Sequence, residues 1–189
     1  MASLHFFYSA MNAGKSTSLL QTDHNYIERG MKTLLFTCSF DTRFKQGVIA
    51  SRIGLNKEAV TFDREFDFYA YVKPYTDISC VLIDEAQFLT SKQVDQLGDI
   101  VDFLGIPVLA YGLRTDYMGN SFEGSERLLA IADILTELKT VCHCGKKATM
   151  NMRIDENGNK IYQGNQIDIG GNDKYISVCR KHFKNPKNK

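Results

Sequence analysis

Through the first 140 residues, short apolar runs alternate with longer amphipathic ones, and each change of period marks an element. Residues 4–8 read as a strand, 14–29 as a helix for which Gly30 supplies the stop, and 33–37 as a second strand. Cys80-Val81-Leu82-Ile83 is a third. In Thr90-Ser91-Lys92-Gln93 a hydroxyl is followed three residues later by Gln, a capping box that opens a helix running to Leu104 and ending at Gly105. Pro107-Val108-Leu109-Ala110-Tyr111 is a fourth strand. In 126–138, Leu128, Leu129, Ile131, Ala132 and Leu135 share one side, which predicts a final helix. Continuously apolar strands separated by helices predict a parallel sheet covered on both faces, so the expected fold class is α/β. After Thr140 the texture turns to Gly, Asn, Lys and Cys, with short strand-like pieces at 149–154 and 174–178. That is too little apolar material for an independent core, and a metal staple is the natural remedy. The expected division is 1–140 for the α/β domain, 141–183 for a metal-stapled appendage and 184–189 for a frayed tail.

Composition narrows the class without changing this picture. The 189 residues suit one main core, and 43% hydrophobic with 24% charged residues excludes collagen-like and disordered readings. Lys and Arg total 23 against 22 Asp and Glu, so there is no basic surplus of the kind a nucleic-acid binder carries. No apolar run approaches the roughly 20 residues of a membrane helix. Met1-Ala2-Ser3-Leu4-His5 lacks a basic segment leading into an apolar one, so no secretory signal is expected and the cytoplasm is the expected compartment. Five cysteines, an odd number, argue against a disulfide framework. Cys38 and Cys80 lie inside apolar runs and are expected to be buried small hydrophobes.

Candidate chemistry begins where the first strand meets the first helix. Ser9-Ala10-Met11-Asn12-Ala13-Gly14-Lys15-Ser16-Thr17 has the context of a phosphate-binding loop. Successive backbone N–H groups and the helix amino terminus would wrap phosphates, with Lys15 bridging the β- and γ-phosphates and Ser16 on Mg²⁺. The usual first Gly of such a loop is Ser9 here. The third strand runs into Asp84-Glu85-Ala86-Gln87-Phe88, which places a carboxylate at the carboxyl edge of the sheet. Asp84 would share the Mg²⁺ with Ser16, and Glu85 would face a nucleophile. Together the two motifs mean nucleoside triphosphate chemistry. Asp-Glu-Ala-Gln is also similar to a helicase motif, but a helicase motor needs two such domains and this chain has room for one.

The polar carboxyl-terminal part holds Cys142-His143-Cys144 and Cys179-Arg180-Lys181-His182, a C-x-C-x34-C-x-x-H pattern. Two close pairs of thiolate and imidazole ligands suit a closed tetrahedral Zn²⁺ site of structural character. The short first spacing leaves His143 as a rival ligand.

In this order the motifs resemble those of the thymidine kinase family, its bacterial branch above all, from Phe7 to His182. The most specific stretches are the phosphate loop, Asp41-Thr42-Arg43, Asp84-Glu85-Ala86-Gln87-Phe88 and Ile169-Gly170-Gly171-Asn172-Asp173-Lys174-Tyr175. The resemblance implies a RecA-like P-loop fold with a small zinc-stapled lasso domain, transferring the ATP γ-phosphate to the 5′-hydroxyl of deoxythymidine. It implies ATP contacts at Ser9, Ala10, Met11, Asn12, Ala13, Gly14, Lys15, Ser16, Asp84, Glu85, Ala86 and Gln87. Glu85 would be the base, and Arg43 the guanidinium beside the transferred phosphoryl. Met11, Phe88, Leu113, Tyr117, Phe122, Ile169, Gly170 and Tyr175 would contact the thymidine. Cys142, Cys144, Cys179 and His182 would hold zinc, with His182 standing where other members have a fourth Cys. A homotetramer inhibited by dTTP is implied in the same way.

Two rival functions have their own discriminators. A stand-alone ATPase or a different P-loop phosphotransferase would hydrolyse ATP with no nucleoside present. A zinc module using Lys146, Lys147, Arg180, Lys181 and Lys184 on nucleic acid would bind oligonucleotides in a salt-sensitive manner, but it leaves both nucleotide motifs without a role.

Overall fold

Alternate residues of a strand point to opposite faces, and the first strand serves two cores. Leu4 and Phe6 lie in the larger apolar cluster, while Phe7 packs against a smaller one. The computed structural model describes residues 1–39, 46–166 and 174–186. In chain order the elements are β1 (Leu4–Ser9), α1 (Lys15–Glu28), β2 (Lys32–Cys38), β3 (Val48–Ala50), β4 (Asn56–Glu58), β5 (Val60–Phe62) and α2 (Phe68–Val72). Then follow β6 (Ile78–Ile83), a 3₁₀ turn (Ala86–Phe88), α3 (Ser91–Leu104), β7 (Val108–Leu113), α4 (Glu123–Ile131) and β8 (Ile134–Glu137). The carboxyl-terminal part holds β9 (Thr140–Val141), β10 (Lys147–Ala148), β11 (Met150–Arg153), β12 (Tyr175–Val178) and α5 (Arg180–Lys184).

Six strands form one sheet in the order β5-β2-β6-β7-β1-β8, and every pairing in it is parallel. The near-continuous apolar run of β6 fits its central place, with Cys80, Val81, Leu82 and Ile83 all at 0% exposure. Leu19 and Leu20 of α1 cover one face, against Leu35, Cys80, Leu82 and Tyr111. Phe68 and Val72 of α2, Val94, Leu97 and Ile100 of α3, and Leu128 of α4 cover the other. The expected α/β architecture is therefore present, and Cys38 and Cys80 are buried as expected. Thr90 and Gln93 form the capping box reciprocally, and Gly105 ends α3 in the left-handed region at φ 67°.

One expected helix is divided. Instead of running through 126–138, α4 ends at Ile131 and the chain re-enters the sheet as β8, parallel to β1. Asp133 makes the junction: its N–H donates to Leu4 O at 2.9 Å, and its carboxylate accepts the Leu4 N–H at 2.7 Å. Without β8, the backbone groups on that side of β1 would lack ladder partners, a cost larger than the helix propensity of four residues. The stretch between β2 and β6, unassigned from its pattern, holds the β3–β4 hairpin, β5 and α2. Among the described residues, no helix is long and apolar enough to cross a membrane.

Candidate active site

Strand β1 ends in the loop that opens α1, and the start of α1 differs from that of α3. Gly14, at φ 77°, is the N-cap, and no side chain caps the helix. The first-turn N–H groups of α1 are thus spared from side-chain capping and, with the helix dipole, favour an anion. Lys15 Nζ lies back along the loop, donating to Ser9 Oγ at 3.2 Å and Ala10 O at 3.3 Å. Asn12 adopts φ 64°, a left-handed backbone that costs a non-glycine residue about 1 kcal/mol.

The carboxyl end of β6 faces this loop across the edge of β7. Ser16 Oγ donates to Asp84 Oδ2 at 2.8 Å. Asp84 is 4% exposed. Burial, reinforced by the adjacent Glu85 charge, raises its pKa to about 7, against the opposing pull of the Ser16 hydroxyl and Lys15. Glu85 has φ 54°, the second left-handed non-glycine residue among those described, and it turns the chain into the 3₁₀ turn. Gln87 fixes its side chain: Nε2 donates to Glu85 Oε2 at 2.5 Å, while Oε1 accepts the Leu113 N–H at 3.0 Å. Gly124 lies behind this turn so closely that a Cβ there would stand 2.6 Å from Ala86 O and 2.7 Å from Leu89 O.

Between these groups is a cavity of about 260 Å³, lined by Met11–Thr17, Thr37, residues 48–53, Asp84, Glu85 and Leu113. Of the expected ATP contacts, Ser9, Ala10, Ala86 and Gln87 do not line it. The pattern gave no warning of the β3–β4 hairpin, which supplies Arg52 and Ile53 to one wall. The Lys57 ammonium on the Asp23 carboxylate at 2.5 Å ties that hairpin to α1.

Of the residues expected around the thymidine, Met11, Leu113, Tyr117 and Tyr175 form one cluster. Phe88 and Phe122 meet edge to face at 5.9 Å. Tyr117 is 2% exposed, and its hydroxyl has no hydrogen-bond partner among the described residues. Arg43, with Asp41 and Thr42, and Ile169 and Gly170, with Gly171, Asn172 and Asp173, lie outside the described residues.

Asn151 and Ser177 also reach this region, and sequence reasoning missed them, because nothing distinguishes one Asn or Ser in a polar segment. Asn151 Oδ1 accepts the Met11 N–H at 2.7 Å, and Ser177 Oγ donates to Met11 O at 2.6 Å.

The cysteine and histidine pattern closes on itself in space. Cys142 and Cys144 come from the turn joining β9 to β10, held by Cys142 N–H on Lys146 O and Gly145 N–H on Cys142 O, both 2.8 Å. Cys179 is the N-cap of α5, and His182 lies in its first turns. The ligand atoms of Cys142, Cys144, Cys179 and His182 all lie within 4.8 Å of one another. Cys142 Sγ and Cys179 Sγ are 3.3 and 3.5 Å from His182 Nδ1, and Cys144 Sγ is 3.9 Å from Cys179 Sγ. Tetrahedral zinc with thiolates at its usual bond length separates them by about 3.8 Å, so the donor set fits that ion. The backbone N–H of His182 is the main influence lowering the Cys179 pKa, and burial is the main one lowering that of His182, whereas the Cys144 thiol is raised. His143 is not one of the four, and its ring lies 4.3 Å from that of His182.

A family model described as thymidine kinase matches residues 2–183. A thymidine kinase of Legionella pneumophila (strain Lens) is 59% identical over 188 residues, covering 97% of this chain and 90% of the relative. Those of Rhodopirellula baltica and Idiomarina loihiensis are 59% and 58% identical, each over 97% of this chain and over 89% and 97% of the relatives.

Proposed function

The chain belongs to the thymidine kinase family, and we propose how its residues carry out that reaction: the γ-phosphate of ATP passes to the 5′-hydroxyl of deoxythymidine, giving dTMP and ADP. The observation that carries this assignment is the convergence of the uncapped α1 terminus, Lys15 and the Asp84–Glu85 pair on one cavity. The loop from Ser9 to Ser16 binds the triphosphate through its amides and Lys15. Ser16 and Asp84, whose side chains already meet, would hold the Mg²⁺ that neutralises phosphate charge. Glu85 accepts the proton of the 5′-hydroxyl as its oxygen bonds to the γ-phosphorus and the bond to the β,γ-bridging oxygen breaks. In a loose transition state, placing that hydroxyl matters more than base strength, and the Gln87 bridge holds the Glu85 carboxylate in one position. Arg43 stabilises the charge on the transferred group.

Met11, Phe88, Leu113, Tyr117, Phe122 and Tyr175 enclose the thymidine in this assignment, completed by Ile169 and Gly170. The buried Tyr117 hydroxyl is a polar contact available to the nucleoside. Zinc on Cys142, Cys144, Cys179 and His182 has a structural role, because four protein ligands leave it no open position. Residues 1–140 form the catalytic domain, 141–183 the zinc unit that carries the lasso, and 184–189 a tail. A cytoplasmic homotetramer inhibited by dTTP belongs to the same proposal and rests on family membership.

The test is ADP formation from Mg-ATP with a panel of nucleosides and a control without any. Turnover with thymidine, little with deoxycytidine or purine nucleosides and a quiet control is the expected result. Equal hydrolysis in every well would refute nucleoside phosphorylation.

A further inference from the structure

Met11 stands where the phosphate cavity and the cluster of Leu113, Tyr117 and Tyr175 meet, and both of its backbone polar groups are held from the far end of the chain. Asn151 Oδ1 accepts the Met11 N–H at 2.7 Å, and Ser177 Oγ donates to Met11 O at 2.6 Å. The two holding residues face each other across the antiparallel β11–β12 ribbon. Asn151 is itself fixed: it is 2% exposed, and its Nδ2 donates to Thr115 O at 2.9 Å. The residue after Met11 is Asn12, whose left-handed backbone begins the turn toward Gly14 and Lys15. A loop that must hold a conformation its residues do not prefer needs an external constraint, and this pair grips it one residue ahead of the bend.

We infer that Asn151 and Ser177 are positioning residues for the phosphate loop, acting through the Met11 backbone to preorganise it for the nucleotide. Neither needs to touch a substrate. β12 ends at Val178, one residue after Ser177, and the next residue, Cys179, is one of the four clustered ligand residues. The inference rests on the assignment of residues 9–16 as the triphosphate site.

The experiment compares Ser177→Ala, Ser177→Thr and Asn151→Ala with the wild-type chain. It measures calorimetric binding of a non-hydrolysable ATP analogue with Mg²⁺, zinc content, and hydrogen exchange at the Met11 amide. Loss of one buried hydrogen bond predicts roughly five- to tenfold weaker analogue binding for Ser177→Ala, with zinc content unchanged. Ser177→Thr keeps the hydroxyl and restores binding to within about twofold. Asn151→Ala also accelerates exchange at Met11; should it not fold, the Ser177 pair decides alone. Binding of Ser177→Ala within twofold of wild type, or a Thr variant as weak as the Ala variant, would overturn the inference. A wild-type chain that binds the analogue yet leaves thymidine unphosphorylated would sink the proposed function and leave this comparison intact.

Discussion

Asp84 and Glu85 are neighbours in sequence, both buried, and held in different surroundings. Asp84 meets Ser16 and is pushed up to about 7 by burial, whereas Glu85 is turned away by its left-handed backbone and tethered by Gln87. Glu85→Gln removes the proposed proton acceptor and keeps the shape. Turnover should fall by about 10²–10⁴-fold, with nucleotide affinity changed less than about threefold. Wild-type-like turnover would remove Glu85 from the mechanism. For Asp84 the sign follows from linkage. A carboxyl whose folded pKa is raised binds its proton more tightly when folded, so its contribution to stability is complete below the unfolded value of 3.8 and is lost as pH rises through about 7. Asp84→Asn, which stays neutral, should therefore raise the melting temperature of the ligand-free protein more at pH 8 than at pH 5. Equal shifts at the two pH values would mean that the buried carboxylate carries no such penalty.

Elements place these residues, and Gly124 shows how tightly. It starts the packing of α4 against the 3₁₀ turn, where the nearest atoms are backbone carbonyls that cannot swing aside. Gly124→Ala should cost about 1–3 kcal/mol in denaturant unfolding and lower turnover by displacing Glu85. A neutral substitution would mean that α4 slides freely on the turn. The elements that the pattern revealed are those whose signal is local: the apolar run of β6, the capping box of α3, and the glycine between β1 and α1. What it concealed is settled by distant partners. Ile134 and Leu135 continue a helical stripe on paper, and only the pairing of Asp133 with Leu4 turns them into β8. The hairpin wall with Arg52 is joined to α1 by the Lys57–Asp23 pair, whose residues lie far apart in sequence. Cys142, Cys144, Cys179 and His182 stood out because four soft ligands in a polar segment have few other uses, whereas Asn151 carries no such mark.

Across the whole molecule, a large core and a small one differ in what holds them. Among the described residues, the carboxyl-terminal cluster buries Cys142, Ala148, Met152, Val178 and Cys179, of which two belong to the proposed zinc ligands. Metal removal by a chelator should lower the melting temperature by on the order of 5–15 °C and expose the β9–β12 region to trypsin, while the six-stranded sheet keeps most of its far-UV signal. Unaltered protease sensitivity would refute a structural metal. The grip of Ser177 on Met11 spans 166 positions of chain, which has a meaning during biosynthesis. At about 5–20 residues per second, roughly ten to thirty seconds separate translation of the loop from translation of its clamp. For that interval the Met11 carbonyl lacks the Ser177 hydroxyl that holds it in the folded chain. The ribosome has to deliver the last of the described strands before the first loop is fully held.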